Sequence, residues 1–137
     1  MQYRHEVKHE ISNLDMLILR QRLRAVMAPD SHAIDGQYEI RSLYFDNPDD
    51  KALREKLDGV SRREKYRIRM YNNDPSVIRL ERKFKCSGLG YKESALLTQA
   101  QACRIAGGDI HWMAASTDEV ILRFYTCIRN EGLAAKV

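Results

Sequence analysis

The sequence predicts an α+β protein built around an antiparallel sheet, and three observations carry that reading. Two runs, SRREKYRIRMY and IRLERKFK, alternate strictly in side-chain character, as strands do. The connections between the strand-like runs are short, which makes the strands mostly antiparallel. Between and after them lie apolar stripes at helical spacing, each bounded by its own start and stop signals.

Taken in order, Tyr3 to Ile11 alternates polar and apolar and reads as a first strand, with Arg4, Glu6, Lys8 and Glu10 on one face. Ser12 or Asn13 then caps a helix running to about Met27, with Met16, Leu19, Leu23 and Val26 as its stripe. Pro29, Asp30 and Ser31 stop it, and Asp35-Gly36 introduces a second strand, QYEIRSLYFD. Asn47-Pro48 signals a helix start, with Asn as cap and Pro at the first helical position, and Asp58-Gly59 ends that helix after Leu57. The two alternating runs follow, joined by a polar turn at Asn72–Ser76. A Ser87-Gly88 turn leads to a short strand around Gly90–Ala95. Thr98 with Gln101 forms a capping box for a helix that ends at Gly107-Gly108. Ser116 with Glu119 forms another, for a final helix that turns Val120, Ile121, Phe124 and Ile128 inward and stops at Gly132. Five strands do not easily close a barrel wide enough for a charged interior, for which about eight are needed. These residues therefore read as part of a sheet whose remaining strands are absent.

With 137 residues, 44% of them hydrophobic and 31% charged, the chain is large enough for one compact core. No apolar run approaches a membrane span, and MQYRHEVKHEIS is not a signal peptide. Cys86, Cys103 and Cys127 have no metal-ligand spacing, and an odd count leaves one unpaired in any disulfide scheme. They read as free thiols in a reducing compartment, hence a cytoplasmic location. His5, His9, His32 and His111 show neither triad nor metal spacing.

Net charge is only +4, but residues 62–85 hold nine Lys or Arg against three Asp or Glu. The basic character belongs to one hairpin, which favours a local anion site over general nucleic-acid stickiness. At period two, Arg63, Lys65, Arg67, Arg69 and Tyr71 share one face of the first run, with Tyr66, Ile68 and Met70 opposite. On the second run Arg79, Glu81, Lys83 and Lys85 share a face opposite Ile78, Leu80 and Phe84. Unit charges two apart on a strand, about 6–7 Å, repel by about 2–2.5 kcal/mol at an effective dielectric near 20. Such a face needs water, carboxylates or a bound anion to compensate it. The competing reading is a solvated basic surface. Two adjacent strands share the pattern, however, and arginine grips phosphate oxygens bidentately.

The segments YRHEVKHEIS, YEIRSLYFDN, ALREKLDGVSRREKYRIRMY and IRLERKFKCSGLGYKES, in this order, resemble the vacuolar transporter chaperone (VTC) domain. That domain is the polyphosphate polymerase type within the triphosphate tunnel metalloenzymes, also called CYTH-like. The resemblance covers about Tyr3 to Ala95 and continues weakly through the last helix. It implies an antiparallel sheet forming part of a tunnel-like β-barrel, with helices packed outside and the barrel incomplete in this chain. Residues 1–137 would then be a single domain, the N-terminal portion of a VTC-type domain. The resemblance further implies that the tunnel binds ATP, another triphosphate or inorganic polyphosphate with Mg2+ or Mn2+, and that the complete domain transfers the γ-phosphate of ATP to a polyphosphate chain. Carried over residue by residue, the resemblance implies that Lys8, Arg67, Arg69, Lys83 and Lys92 are phosphate ligands in the catalytic centre. The superfamily's ExExK strand is replaced here by Arg4, Glu6 and Lys8. That departure weakens a metal site on the first strand and favours a polymerase-like site over a hydrolytic triphosphatase.

Arg63, Lys65, Arg79 and Lys85 are candidate substrate-binding residues beside these five. Tyr44 is a candidate lining residue, with core or rim as the alternative. Glu81, and after it Glu6, are the candidate metal ligands, although Glu81 could equally form a cross-strand salt bridge. The expected function is binding of triphosphate or polyphosphate, and phosphoryl transfer in the complete domain. As cut here, the chain is expected to be inactive or weakly active. The alternatives are a triphosphatase or a non-catalytic module for polyphosphate or inositol polyphosphates. A nucleic-acid binder is disfavoured because neither basic strand carries an exposed aromatic platform. Open sheet edges predict a possible homodimer.

Overall fold

A computed structural model describes residues 6–136, which divide into two compact units, 6–39 and 40–136. In the first, Glu6–Ile11 forms no strand, so the predicted first strand is not found in its described part; its beginning lies outside the described residues. Helix α1, Asn13–Arg24, is started by a capping box in which Ser12 and Asp15 satisfy each other's backbone N–H. The helix buries none of its residues. A tight turn follows, with Asp35 and Gly36 at positive φ and Ile34 bridged to Gln37.

The second unit is a five-stranded antiparallel sheet that does not close into a barrel, with helices on one face. Its strands are β1 (Ile40–Asp46), β2 (Arg63–Tyr71), β3 (Asp74–Cys86), β4 (Leu89–Leu97) and β5 (Ala134–Ala135), in the spatial order β4-β3-β2-β1-β5. Two-residue turns fix the two long hairpins. Asn72 and Asn73 both take positive φ, as do Ser87 and Gly88, the geometry whose twist matches that of the flanking strands. The short pair at Phe45–Ala135 and Asp46–Ala134 brings the chain end onto β1, an element the sequence left unassigned.

Helix α2 (Lys51–Leu57) begins later than the Asn-Pro signal predicts. Asn47 Oδ1 accepts from the amides of Asp49 and Lys51, so Asn-Pro makes a turn ahead of the helix instead of opening it. The second and third helical amides go to Asp46, whose carboxylate accepts from Ala52 at 2.9 Å and Leu53 at 3.1 Å. A strand residue thus caps the helix that follows it. Helix α3 (Gln99–Ala106) carries the predicted Thr98–Gln101 capping box. A 3-10 turn at His111–Ala115, unforeseen in the sequence, leads to α4 (Glu119–Glu131). Its cap is Asp118 rather than Ser116, because Ser116 Oγ instead accepts from the amide of Asp118. Gly132 ends the helix at φ 69°, as expected.

The core lies between these helices and one face of the sheet. Phe45, Tyr66, Ile68, Ile78, Leu80, Ala95 and Leu97 meet Ile105, Met113, Ile121 and Phe124. The ring of Phe124 stacks on Tyr66 at 4.8 Å and meets Phe45 edge-on at 4.9 Å. Burying one face this completely pins the register, since a slip of one residue would turn every side chain to the wrong side. The opposite face is therefore fixed as well.

Candidate anion-binding site

Hydrogen-bonded register converts the period-two reading into rows. Across β2, β3 and β4, Lys65 stands opposite Lys83, and Lys83 opposite Lys92. One step along, Tyr44 of β1, Arg67, Glu81 and Ser94 form the next row. One step further come Ser42, Arg69 and Arg79. On the other side of the lysine row Arg63 faces Lys85. Four cross-strand neighbours are therefore like-charged pairs, and Glu81 is the one carboxylate within these rows. Directly opposed residues lie about 4.5–5.5 Å apart at their Cα atoms, where like charges destabilise a sheet. At an effective dielectric of 20 each pair costs about 3 kcal/mol before splaying and salt reduce it.

Glu81 is the hub. Its side chain is 1% exposed although it sits on the charged face, because cations cover it. Arg67 donates to Oε2 through Nε at 2.8 Å and Nη2 at 2.7 Å, a two-pronged grip on one oxygen. Lys92 Nζ donates to Oε1 at 3.1 Å, and Arg69 Nε stands 4.0 Å from Oε2. Burial opposes ionisation of Glu81, but hydrogen bonds and charge from Arg67 and Lys92 outweigh it and hold the carboxyl below its usual range.

Arg67 is fixed from its other side by Tyr44, whose hydroxyl accepts from Nη1 at 3.0 Å. Arg69 Nε donates to Ser42 Oγ at 3.2 Å. Lys65 Nζ lies 4.9 Å from the centre of the Tyr44 ring. Burial, with Arg67 and Lys83 nearby, lowers the Lys65 pKa. Tyr44 is also shifted down: burial resists, but the Arg67 hydrogen bond and the charges of Lys65, Arg67 and Arg69 prevail. These displacements report a positive local potential. The arginine grip itself raises Arg67 despite its partial burial.

The structure thus joins Tyr44, Arg67, Arg69, Glu81 and Lys92 in one group, with Lys65, Lys83 and Arg79 in the adjoining rows. Arg63 turns away at the strand entrance to donate to the Val60 carbonyl, and Lys85 stands opposite it, beside Gly90. Lys8 and Glu6 belong to the N-terminal unit, where Lys8 Nζ lies 3.8 Å from Glu6 Oε1. Ser42 and Ser94 were not anticipated; their parity with Tyr44 and Lys92 along the strands was the available signal.

Among the described residues no cluster of three His, Cys, Asp or Glu could hold a metal ion. Both oxygens of Glu81 already accept from cations. The donor set of this face therefore does not fit a metal held by the protein alone. Among the described residues no helix is long and apolar enough to cross a membrane.

A family model, that of the VTC domain, matches residues 3–137, nearly the full length of the chain. No curated protein matches the chain significantly.

Proposed function

The chain belongs to the VTC domain family, and from that premise we propose that its cationic sheet face binds triphosphate and linear polyphosphate. In this reading the face serves transfer of the γ-phosphate of ATP to a polyphosphate chain. The observation that supports the reading most is the stack of four like-charged cross-strand pairs around one carboxylate. A fold bears repulsion of that kind where an anion of matching length relieves it.

Phosphoryl transfer asks a protein for position and charge more than for covalent chemistry. Arg67 and Arg69 clamp non-bridging oxygens with their planar forks, while Lys83 and Lys92 spread positive potential beside them. Lys65 and Arg79 extend the cationic surface, and Arg63 with Lys85 mark its rim. Mg2+ or Mn2+ enters as part of the nucleotide substrate, coordinated by phosphate oxygens. The engaged state of Glu81 also supports a second reading, a module that binds polyphosphate without turnover.

Thermal unfolding with tripolyphosphate tests the common part of both. Saturating ligand at about a hundredfold over its Kd stabilises by about 2.7 kcal/mol, a clear rise in Tm. Arg67→Ala with Arg69→Ala should abolish the rise. An unchanged Tm for the unmodified chain across tripolyphosphate and long-chain polyphosphate would overturn the proposal. Turnover of ATP into acid-insoluble polymer separates the two readings.

A further inference from the structure

Two hydroxyl groups on β1 stand beside the arginines, and anion binding by cations alone leaves both without a role. Ser42 lies directly opposite Arg69 in the β1–β2 register, and Tyr44 directly opposite Arg67. Each hydroxyl oxygen accepts from the arginine it faces, Ser42 Oγ from Nε at 3.2 Å and Tyr44 Oη from Nη1 at 3.0 Å. The two arginines are only 14% and 18% exposed, so these bonds decide where their forks point. A guanidinium has five N–H donors. Arg67 commits three of them to Glu81 and Tyr44, which leaves one on each terminal nitrogen. Arg69 commits its Nε to Ser42, while Glu81 Oε2 stands 4.0 Å from the same nitrogen. A neutral oxygen orients a guanidinium without cancelling its charge. A carboxylate at position 42 would hold Arg69 as well, but it would remove the charge that an anion needs.

A hydroxyl also carries a hydrogen of its own. Among the described residues neither Ser42 nor Tyr44 has a side-chain acceptor for that hydrogen, since the bonds they make are those received from arginine. An oxygen that accepts from a cation becomes a stronger donor in turn. Resting on the polyphosphate reading above, we propose that Ser42 and Tyr44 are positioning residues for the arginine pair, and that their hydroxyl hydrogens add two uncharged donors for phosphate oxygens. Charge draws a polyanion in from any direction, whereas a hydroxyl bond requires an oxygen at one distance and angle. β1 thereby adds direction to the charge of β2 and β3.

Calorimetric binding of tripolyphosphate over a range of salt tests this with variants that change no charge. Ser42→Ala and Tyr44→Phe should each weaken binding about fivefold and leave the far-ultraviolet circular dichroism unchanged. Because no charge is lost, the same factor should persist at every salt concentration. Arg79→Gln supplies the contrast, since its loss should shrink as salt rises. Ser42→Thr restores a hydroxyl and should recover most of the affinity, which a role in packing alone does not predict. Unmodified affinity in either hydroxyl variant, a loss that fades with salt, or a Ser42→Thr as weak as Ser42→Ala would overturn the role of β1 and leave the functional reading standing. An unmodified chain that binds no tripolyphosphate at any salt would overturn that reading, and this inference with it.

Discussion

Glu81 and Arg82 are consecutive residues of β3, and each is the centre of an ion network on opposite faces of the same sheet. On one face a single carboxylate is surrounded by Arg67, Arg69 and Lys92. On the other a single guanidinium, 5% exposed, donates to Glu64 at 2.6 Å, to Glu93 at 2.9 Å and to the Tyr91 hydroxyl at 2.7 Å. The buried network is closed: its cation is saturated by carboxylates from β2 and β4, and helices cover that face. The outer network is open, because cations outnumber the carboxylate along these rows. Ion pairing as such therefore says little about function. The sign and size of the uncompensated remainder say more.

The largest expected effect comes from breaking the closed network. Arg82→Ala leaves Glu64 and Glu93 facing each other without their cation and should cost about 3–5 kcal/mol in urea unfolding. Replacing the group as a whole sharpens the point: Arg82→Met with Glu64→Gln and Glu93→Gln should recover most of that loss, because a buried ion group often does no better than apolar packing. If Arg82→Ala alone were neutral, the two faces would not differ in the way their ion pairs suggest.

The open network predicts a smaller effect with a definite direction in pH. Glu81 is held below its usual carboxyl range by Arg67 and Lys92 against the pull of burial. Its contribution to stability is complete above the unfolded carboxyl value of about 4.5, and it fades as pH falls through the lower folded value. Stability of the unmodified chain should drop on acidification below about pH 4.5, and Glu81→Gln should flatten part of that drop. In tripolyphosphate binding the same variant should gain affinity at low salt, since one negative charge has left a cationic surface. Identical acid profiles for the two proteins would remove Glu81 from its place at the hub.

How much of this was legible in the sequence follows from what each feature depends on. Strand faces on β2 and β3 were readable because alternation is local, and Arg67, Arg69, Lys83 and Glu81 fall where period two places them. Arg82 was passed over because a cation on the apolar parity has no local explanation. Its partners Glu64 and Glu93 lie 18 and 11 residues away, and they converge only once the two hairpin registers are set. The turns that set those registers, Asn72-Asn73 and Ser87-Gly88, were visible, so the signal existed in combination. Helix α2 was mislocated for a related reason. Asn47 and Pro48 look like a cap and a first turn, yet Asp46, read only as a strand residue, provides the cap. Residues 6–11 alternate correctly and still form no strand, since alternation cannot pair a strand with a neighbour.

The smallest effect probes the open face without altering its charge. Burial resists ionisation of the Tyr44 phenol, but the Arg67 hydrogen bond and the charges of Lys65, Arg67 and Arg69 bring its pKa below the ordinary value of 10.0. In the free chain Tyr44 should therefore be an early component of an alkaline titration followed by tyrosinate absorbance. A bound polyanion cancels the same positive potential, so saturating tripolyphosphate should move that component to higher pH. By linkage, affinity for the anion should weaken as pH rises through the free-chain value, because the ionised phenol repels it. Tyr44→Phe identifies the component by removing it, and it leaves the arginines and lysines in place. Tyr66 is the internal contrast: burial first, then its contact with Cys127, raises its pKa strongly on the helix-covered face. An early component that ignores tripolyphosphate would mean that the potential at Tyr44 is set by the protein alone, with the anion bound elsewhere.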